Sequence, residues 1–200
     1  MTRGRIVIDL FTTLDGVAQA PGGPDEDPSD GFRFGGWQMS IPDDMVGAQV
    51  RAYIDSMDAL LLGRRTYDIF AAYWPHHTDG PPGVIGRTFN AAPKYVVSRS
   101  TLQPEWSGTT QLGPDVPAEV DRLRDRHREI HVVGSIRLVH TLLNANVFDE
   151  LRLWVHPIVL GEGRRVFPEG ATPANLTLIE PPLTGDHGVV QLRYAPGPRA

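Results

Sequence analysis

The chain has 200 residues, 40% of them hydrophobic, and a formal net charge of −5, which predicts one domain, residues 1–200, with a full hydrophobic core. Because 24 acidic residues outnumber 19 basic ones, non-specific binding to nucleic acid or to an anionic membrane is excluded. The absence of cysteine excludes disulfides, thiolate metal sites and a cysteine nucleophile. No run of residues is apolar enough to span a membrane and no secretion signal is recognisable, so we expect a cytoplasmic protein.

The pattern of apolar residues predicts an alternation of strands and helices. Strands are predicted at residues 5–11, 58–63, 94–98, 130–133, 150–160, 175–179 and 189–194. Helices are predicted from an N-cap at Ser40 to Met57, and at residues 65–73, 115–127 and 135–144. The last strands follow one another without helices. The chain is therefore expected to be an α/β protein with a mostly parallel sheet, flanking helices and an antiparallel C-terminal edge.

A glycine- and proline-rich segment, residues 20–37 (APGGPDEDPSDGFRFGGW), interrupts this alternation. Long loops without regular structure inside a domain are often active-site lids or binding loops. The aromatic side chains of Phe32, Phe34 and Trp37 would allow this segment to seal a site. The alternative is a surface insertion without a role.

Several common catalytic motifs are missing. Gly161-Glu162-Gly163 lacks the third glycine of the dinucleotide fingerprint, and the sequence contains neither a P-loop nor a serine-hydrolase elbow. The close histidine pairs, His76/His77 and His127/His131, do not have metal-site spacing on one element. No metal site is therefore predicted.

Three segments at predicted strand ends are suited to binding phosphate. They are Gly63-Arg64-Arg65-Thr66, Ser98-Arg99-Ser100 and Gly134-Ser135-Ile136. Each combines glycine, hydroxyl groups or guanidinium groups with the start of a helix or with a strand end, where open α/β sheets bind ligands. Alternatively, the arginines form a solvated helix face and Gly134 a tight turn.

The order of short motifs along the chain points to a family. The motifs are TLDG at 13–16, LLLGRRTYDIF at 60–70, KYVVSRS at 94–100, VVGSIRLVHTLL at 132–143 and FDELRLWVHPIVLGEGRRVF at 148–167. Together they resemble the dihydrofolate-reductase-like family, and more closely the C-terminal reductase domain of the bacterial bifunctional riboflavin-biosynthesis deaminase-reductase. The resemblance covers roughly residues 5–194 and implies an NADPH-dependent reductase with a mixed sheet of eight or nine strands.

The resemblance also implies roles for individual residues. The implied cofactor-binding residues are Gly63, Arg64, Arg65, Thr66, Ser98, Arg99, Ser100, Gly134, Ser135 and Ile136. In this comparison Arg64 and Thr66 lie near the phosphates, the segment 98–100 surrounds the adenosine 2′-phosphate, and the segment 134–136 lies under the pyrophosphate. Guanidinium groups beside a 2′-phosphate would favour NADPH over NADH.

The expected reaction also needs groups that contact the substrate. The resemblance implies that Asp15 and Gly16 lie beside nicotinamide and substrate, and that Asp43 lies where dihydrofolate reductases carry their pterin-binding acid. Asp15 and Asp43 are therefore the candidate catalytic residues, although an acid such as Asp43 in a first turn often only stabilises the helix. Trp37 and Tyr67 are candidates for stacking on a flat substrate, or else pack in the core.

The chain departs from the riboflavin enzymes in two places. Asp9 lies in the strand where they carry a lysine, and their Asp-x-Pro-x-Leu-x-x-Arg stretch is missing. We therefore expect a small, heterocyclic, pterin- or pyrimidine-like substrate without naming it. The alternative is a nucleotide-binding protein without catalysis or a structural dimer. A homodimer, paired through the strand 151–155 and the antiparallel tail, is compatible with either function.

Overall fold

The computed structural model describes residues 3–80 and 82–198, so both ends of the predicted domain, residues 1 and 200, lie outside it. The described residues form the strands β1 (Arg5–Thr13), β2 (Ala59–Gly63), β3 (Lys94–Val97), β4 (Thr109–Leu112), β5 (Glu129–Val132), β6 (Glu150–His156), β7 (Leu176–Leu178), β8 (Leu183–Thr184) and β9 (Val190–Pro196). Their helices are α1 (Asp44–Ser56), α2 (Arg64–Tyr73), α3 (Gly83–Ala91), α4 (Val116–Leu123) and α5 (Ile136–Ala145).

The strands form one sheet in the order β4-β3-β2-β5-β1-β6-β9-β7, with β8 paired to β9. The six strands β4, β3, β2, β5, β1 and β6 pair in parallel, each with the next one in this order. Strand β9 is antiparallel to its partners β6, β7 and β8. This confirms the predicted mostly parallel sheet with an antiparallel C-terminal edge. Strand β1 lies in the middle of the sheet, where Val7 is the register partner of His131 on β5 and of Glu150 on β6.

Alternation along β1 divides its side chains between two layers. Ile6, Ile8 and Leu10 are buried in the core that includes residues of α4 and α5, and burying each such side chain contributes about 1.5–3 kcal/mol. Asp9 and Phe11 alternate with them and face the opposite side, where residues of α1 pack against the sheet. An ionisable side chain in the middle of β1 thus lies under a helix.

The start of α1 differs from the predicted N-cap at Ser40. Asp43 is the N-cap, because its Oδ1 accepts hydrogen bonds from the backbone N–H groups of Met45 (3.1 Å) and Val46 (3.3 Å). Ser40 instead ends a preceding 3-10 turn, where its hydroxyl donates to the Trp37 carbonyl (2.7 Å). Similarly, the predicted strand 150–160 ends at His156, since Pro157 has no N–H to continue the ladder.

Some elements are absent from the sequence prediction. Helix α3 contains Gly83 and Gly86, which have low helix propensity, and forms through tertiary packing. A Cβ at Gly86 would lie 2.0 Å from the His77 carbonyl oxygen, so only glycine fits there. Strand β4 is a short, half-polar edge strand whose sequence has no clear alternation. Within residues 3–80 and 82–198, no helix has the length and apolarity needed to cross a membrane.

Candidate functional site

The three predicted phosphate-binding segments line one cavity of about 1730 Å³. It begins at the carboxyl ends of β2, β3 and β5, where residues 63–66, 98–100 and 134–137 line it, and continues beneath α1. Residues 20–27 line it from the side. Because a pocket for one small molecule usually measures about 300–1,000 Å³, this cavity has room for more than one ligand.

The N-termini of α2 and α5 lie side by side at one end of this cavity, since the Gly63 N–H donates to the Gly134 carbonyl (3.2 Å). Gly63 and Ser135 are the N-cap residues of these helices, and among the described residues neither cap makes a side-chain hydrogen bond to its helix. Uncapped first turns leave N–H groups without intrahelical partners at the positive end of the helix dipole. Two of them together are suited to bind phosphate groups.

Glycine allows close contact at both points where these helix starts meet. A Cβ at Gly63 would lie 1.9 Å from Ser135 Oγ, and a Cβ at Gly134 would lie 2.7 Å from Thr66 Oγ1. Gly134 also has φ +140°, which side chains rarely allow, and precedes a cis peptide bond to Ser135. Backbone N–H groups can therefore approach a ligand closely here.

The arginines at this end of the cavity fall into two groups. Arg64 is held in place, because its Nε donates to both carboxylate oxygens of Asp68 (2.9 and 3.0 Å) and its Nη1 donates to Ser100 Oγ (3.3 Å). Arg99 and Arg137 are exposed, line the cavity and have no ion-pair partner in the part of the chain that the structure describes. Their guanidinium groups remain available to a phosphate.

Arg65 connects the phosphate end to the segment 20–37. Its Nη1 donates to Asp27 Oδ1 (2.9 Å), and Arg164 Nη1 donates to the other oxygen of Asp27 (2.7 Å). Burial opposes ionisation of Asp27, but hydrogen bonds from Ser29 and Arg164 outweigh it and lower the pKa of this carboxyl. The aromatic part of the segment is packed: Trp37 is buried and its Nε1 donates to the Gln19 carbonyl (2.8 Å).

The part of the cavity beneath α1 contains polar groups that sequence reasoning did not select. Asp9 lines it, with its Oδ1 accepting from Trp154 Nε1 (2.7 Å) and its Oδ2 from Arg152 Nη1 (2.9 Å). His131 also lines it, and its Nε2 lies 2.8 Å from Glu129 Oε1. The available signal was their position: each interrupts an otherwise apolar buried strand.

His156 is a third polar group beside this part of the cavity. Its Nδ1 lies 3.1 Å from the Trp154 carbonyl oxygen, and burial lowers the pKa of its imidazole. Trp37 packs edge-on against the ring, with the ring centroids 5.3 Å apart. The imidazole therefore belongs to the wall between the cavity and the packed segment 20–37.

The candidate carboxylates lie in different places. Asp43 lines the cavity, but its side chain caps α1 and accepts from the His187 N–H (3.2 Å). Asp15 is not among the described residues that line the cavity. Burial opposes ionisation of Asp15, but hydrogen bonds from Thr13 Oγ1 (2.6 Å) and the Gly161 N–H (2.8 Å), with others, lower its pKa to about 2.

The other predicted substrate contacts also lie away from the described lining of the cavity. Gly16 occupies a turn with φ +81°, and its carbonyl accepts from the Val166 N–H (2.9 Å). Tyr67 is buried beside Trp106 and accepts a hydrogen bond from the backbone N–H of that residue (3.3 Å). Trp37 packs with Phe32, Val17 and Ala20. The structure brings Asp43 and the phosphate-binding segments together, but not these residues.

A mostly parallel sheet with an antiparallel edge, and a cavity at the carboxyl ends of its strands, define a dihydrofolate-reductase-like α/β protein. The model of the RibD C-terminal domain family matches residues 5–185. The chain therefore belongs to the RibD C-terminal domain family.

The chain is similar over almost its whole length to a curated protein and to a solved structure. The chain is 28% identical over 192 residues to the protein YyaP of Bacillus subtilis (strain 168), covering 95% of this chain and 94% of that protein. A putative riboflavin biosynthesis protein from Shewanella sp. PV-4 has a similar structure, with a TM-score of 0.71, 18% identity and coverage of 97% of this chain and 99% of that one.

A second similar structure belongs to a longer protein. It is a diaminohydroxyphosphoribosylaminopyrimidine deaminase/5-amino-6-(5-phosphoribosylamino)uracil reductase from Thermotoga maritima, with a TM-score of 0.63 and 15% identity. The match covers 98% of this chain but 57% of that one.

Proposed function

We propose that this protein is an NADPH-dependent reductase that transfers a hydride to a small, flat heterocycle. The observation that carries the proposal is the pair of uncapped helix N-termini, brought together through Gly63 and Gly134, at one end of a cavity that continues beneath α1. One end is suited to the phosphates of a dinucleotide, and the other has room for a second ligand.

The residues at the phosphate end fit a nicotinamide dinucleotide. The N–H groups that begin α2 and α5 would hold the pyrophosphate, with Thr66 Oγ1 close to Gly134 at the same point. Arg99 and the hydroxyls of Ser98 and Ser100 would hold the adenosine 2′-phosphate, which favours NADPH over NADH. When bound, the reduced nicotinamide supplies the hydride.

The protein's own part in the reaction is to hold and shield the substrate. Phe11, Val50 and Ile54 supply apolar walls beneath α1, which exclude water from the reacting atoms. Asp43 is the candidate carboxylate from the sequence that reaches this cavity, at the N-terminus of α1. The reductase named for the Thermotoga maritima protein acts on a pyrimidine, which supports a heterocyclic substrate for this family.

Calorimetric titration with NADPH and with NADH tests the proposal. We expect NADPH to bind at least about tenfold more tightly than NADH, a difference of about 1.4 kcal/mol, and Arg99→Ala to remove most of this preference. Arg128→Ala is the matched control, since Arg128 is 91% exposed in its side chain and pairs with Asp58 outside the cavity. Failure of both cofactors to bind at millimolar concentration would overturn the proposal, as would equal affinity for the two.

A further inference from the structure

We infer that Asp9 selects the substrate, by accepting two parallel N–H groups from one edge of a flat heterocycle, such as a ring N–H beside an exocyclic amino group. The inference rests on the proposed reductase function, because it assigns the part of the cavity beneath α1 to the substrate. It names a carboxylate on the central strand of the sheet as the group that decides which heterocycles enter.

Asp9 has the position that this role requires. It lies on β1 between β5 and β6, on the face covered by α1, and its side chain is 13% exposed. Phe11 follows two residues later on the same face and also lines the cavity, so a flat apolar surface adjoins the carboxylate. A ring lying along Phe11 would direct its edge towards Asp9.

The carboxylate is held rigidly by its neighbours. Trp154 Nε1 donates to one oxygen (2.7 Å) and Arg152 Nη1 to the other (2.9 Å). Arg152 is itself fixed, because its Nη2 donates to the buried Glu150 (2.9 Å) and its guanidinium lies 3.3 Å from the ring centroid of Tyr53. The orientation of Asp9 is therefore set before any ligand binds, which reduces the entropy lost on binding.

The carboxylate of Asp9 has acceptor sites that Trp154 and Arg152 do not use. A carboxylate offers about four lone-pair sites, two on each oxygen. Trp154 and Arg152 occupy one on each oxygen, which leaves one site per oxygen for a ligand. Two acceptors a carboxylate width apart match two parallel N–H donors of a planar edge, the geometry by which carboxylates are recognised in a bidentate manner.

The same arrangement rejects other ligands. A heterocycle that presents carbonyl oxygens to Asp9 would bring acceptors against acceptors and would leave the remaining acceptor site on each carboxylate oxygen without a donor. Leaving a buried polar group unpaired costs about 1–3 kcal/mol, and more for a charged group. A site built to accept hydrogen bonds therefore discriminates strongly against analogues without donors.

The test compares two small probes of similar size, isocytosine, whose ring N–H lies beside a 2-amino group, and uracil, in which a carbonyl oxygen replaces that amino group. Affinities are measured by NMR titration of the wild-type protein, of Asp9→Asn and of the control Asp25→Asn. Asp25 is exposed and lines the same cavity from the segment 20–37, so its substitution makes the same change of charge. NADPH affinity and thermal unfolding are measured for each variant.

We expect the wild-type protein to bind isocytosine at least about tenfold more tightly than uracil, Asp9→Asn to lose this preference, and Asp25→Asn to keep it. Unchanged NADPH affinity with an unchanged probe preference in Asp9→Asn overturns the inference and leaves the reductase proposal standing. A preference that depends on Asp9 in a protein that does not bind NADPH supports the role of Asp9 and overturns the reductase proposal. If Asp9→Asn does not fold, equal affinity of the wild-type protein for the two probes overturns the inference.

Discussion

Arg65 and Asp27 form an ion pair over 2.9 Å that joins the start of α2 to the segment 20–37. The other oxygen of Asp27 accepts from Arg164 (2.7 Å), so one nearly buried carboxylate connects three parts of the chain. The start of α2, which we assign to phosphate binding, is therefore structurally linked to the segment 20–37. A change at Asp27 should alter both.

The first prediction concerns this ion pair. Asp27→Asn leaves Arg65 and Arg164 without a negative partner at this point, and we expect the free energy of unfolding to fall by about 1–3 kcal/mol. Urea unfolding measures it, with Asp25→Asn as the exposed control. Equal unfolding midpoints for the two variants would show that the Asp27 contacts add nothing to stability.

The second prediction concerns the contact between Gly134 and Thr66. Gly134→Ala would place a Cβ 2.7 Å from Thr66 Oγ1, which forces the two helix starts apart. We expect NADPH affinity to fall at least about tenfold, equivalent to about 1.4 kcal/mol, measured by calorimetry. Gly170→Ala is the control, because Gly170 also has a positive φ (+74°) but a Cβ there meets nothing within 4 Å. Wild-type affinity in Gly134→Ala would refute the close-approach argument.

The third prediction concerns Lys94, which is fully buried and donates to the carbonyls of Asn90 (2.8 Å) and Ser107 (2.9 Å). Burial lowers the pKa of Lys94 to about 8, below the value of about 10.4 in an unfolded chain. Between these values the unfolded state binds more protons, so stability rises with pH.

From pH 7.5 to 9.5 this contribution amounts to about 2 kcal/mol. Lys94→Met removes it, so the difference in unfolding free energy between wild type and variant should change by that amount over this interval. Urea unfolding at the two pH values provides the measurement. A constant difference would mean that Lys94 titrates normally in the folded protein.

The fourth prediction concerns Glu129 at the acid end of the pH range. Its hydrogen bond with His131, helped by one from Ser56 Oγ (2.6 Å) and opposed by burial, lowers the pKa of Glu129 to about 2. A depressed pKa in the folded state gives stability that is present above the unfolded value of about 4.3 and is lost as the pH falls towards 2.

Between pH 6 and pH 3, Glu129 should therefore lose about 2 kcal/mol of stabilisation. Glu129→Gln keeps the acceptor oxygen but does not titrate, so its unfolding free energy should fall less over the same interval. Denaturant unfolding at the two pH values compares them. Parallel losses in both proteins would contradict this role of Glu129.

Much of the fold follows from local sequence patterns. Strands such as β2, with five buried apolar or glycine residues, and the amphipathic helix α5 have periodicities that few alternatives satisfy. Helix α3 could not be predicted in this way, because its glycines oppose helix formation and it forms where Ile85 and Phe89 pack in one cluster with residues of α1 and β2. The N-cap at Asp43 could not be predicted either, because several polar residues lie near the start of α1 and the sequence does not show which of them reaches the free N–H groups.

The shared cavity of the three predicted phosphate-binding segments could be anticipated from the sequence, because glycine, hydroxyl and guanidinium groups recur at strand ends and the sheet order brings those ends together. Phosphate binding itself stays a prediction. Aromatic residues carry no such positional signal. Tyr67 and Trp37 pack in the interior, and a sequence pattern does not distinguish an aromatic ring in the core from one in a site. The role of Asp9 depends on the contacts of Trp154 and Arg152, which only the pairing of β1 with β6 creates.

The central position of β1 has a consequence for synthesis of the protein. Its partners β5 and β6 come much later in the chain, with Arg5 opposite Glu129 and Val7 opposite Glu150. During synthesis on the ribosome, the apolar strand β1 therefore has no pairing partner until most of the polypeptide has emerged. Such long-range pairing slows folding and exposes a strand that associates readily with other chains. A ribosome-bound chaperone that shields this strand should increase the yield of native protein.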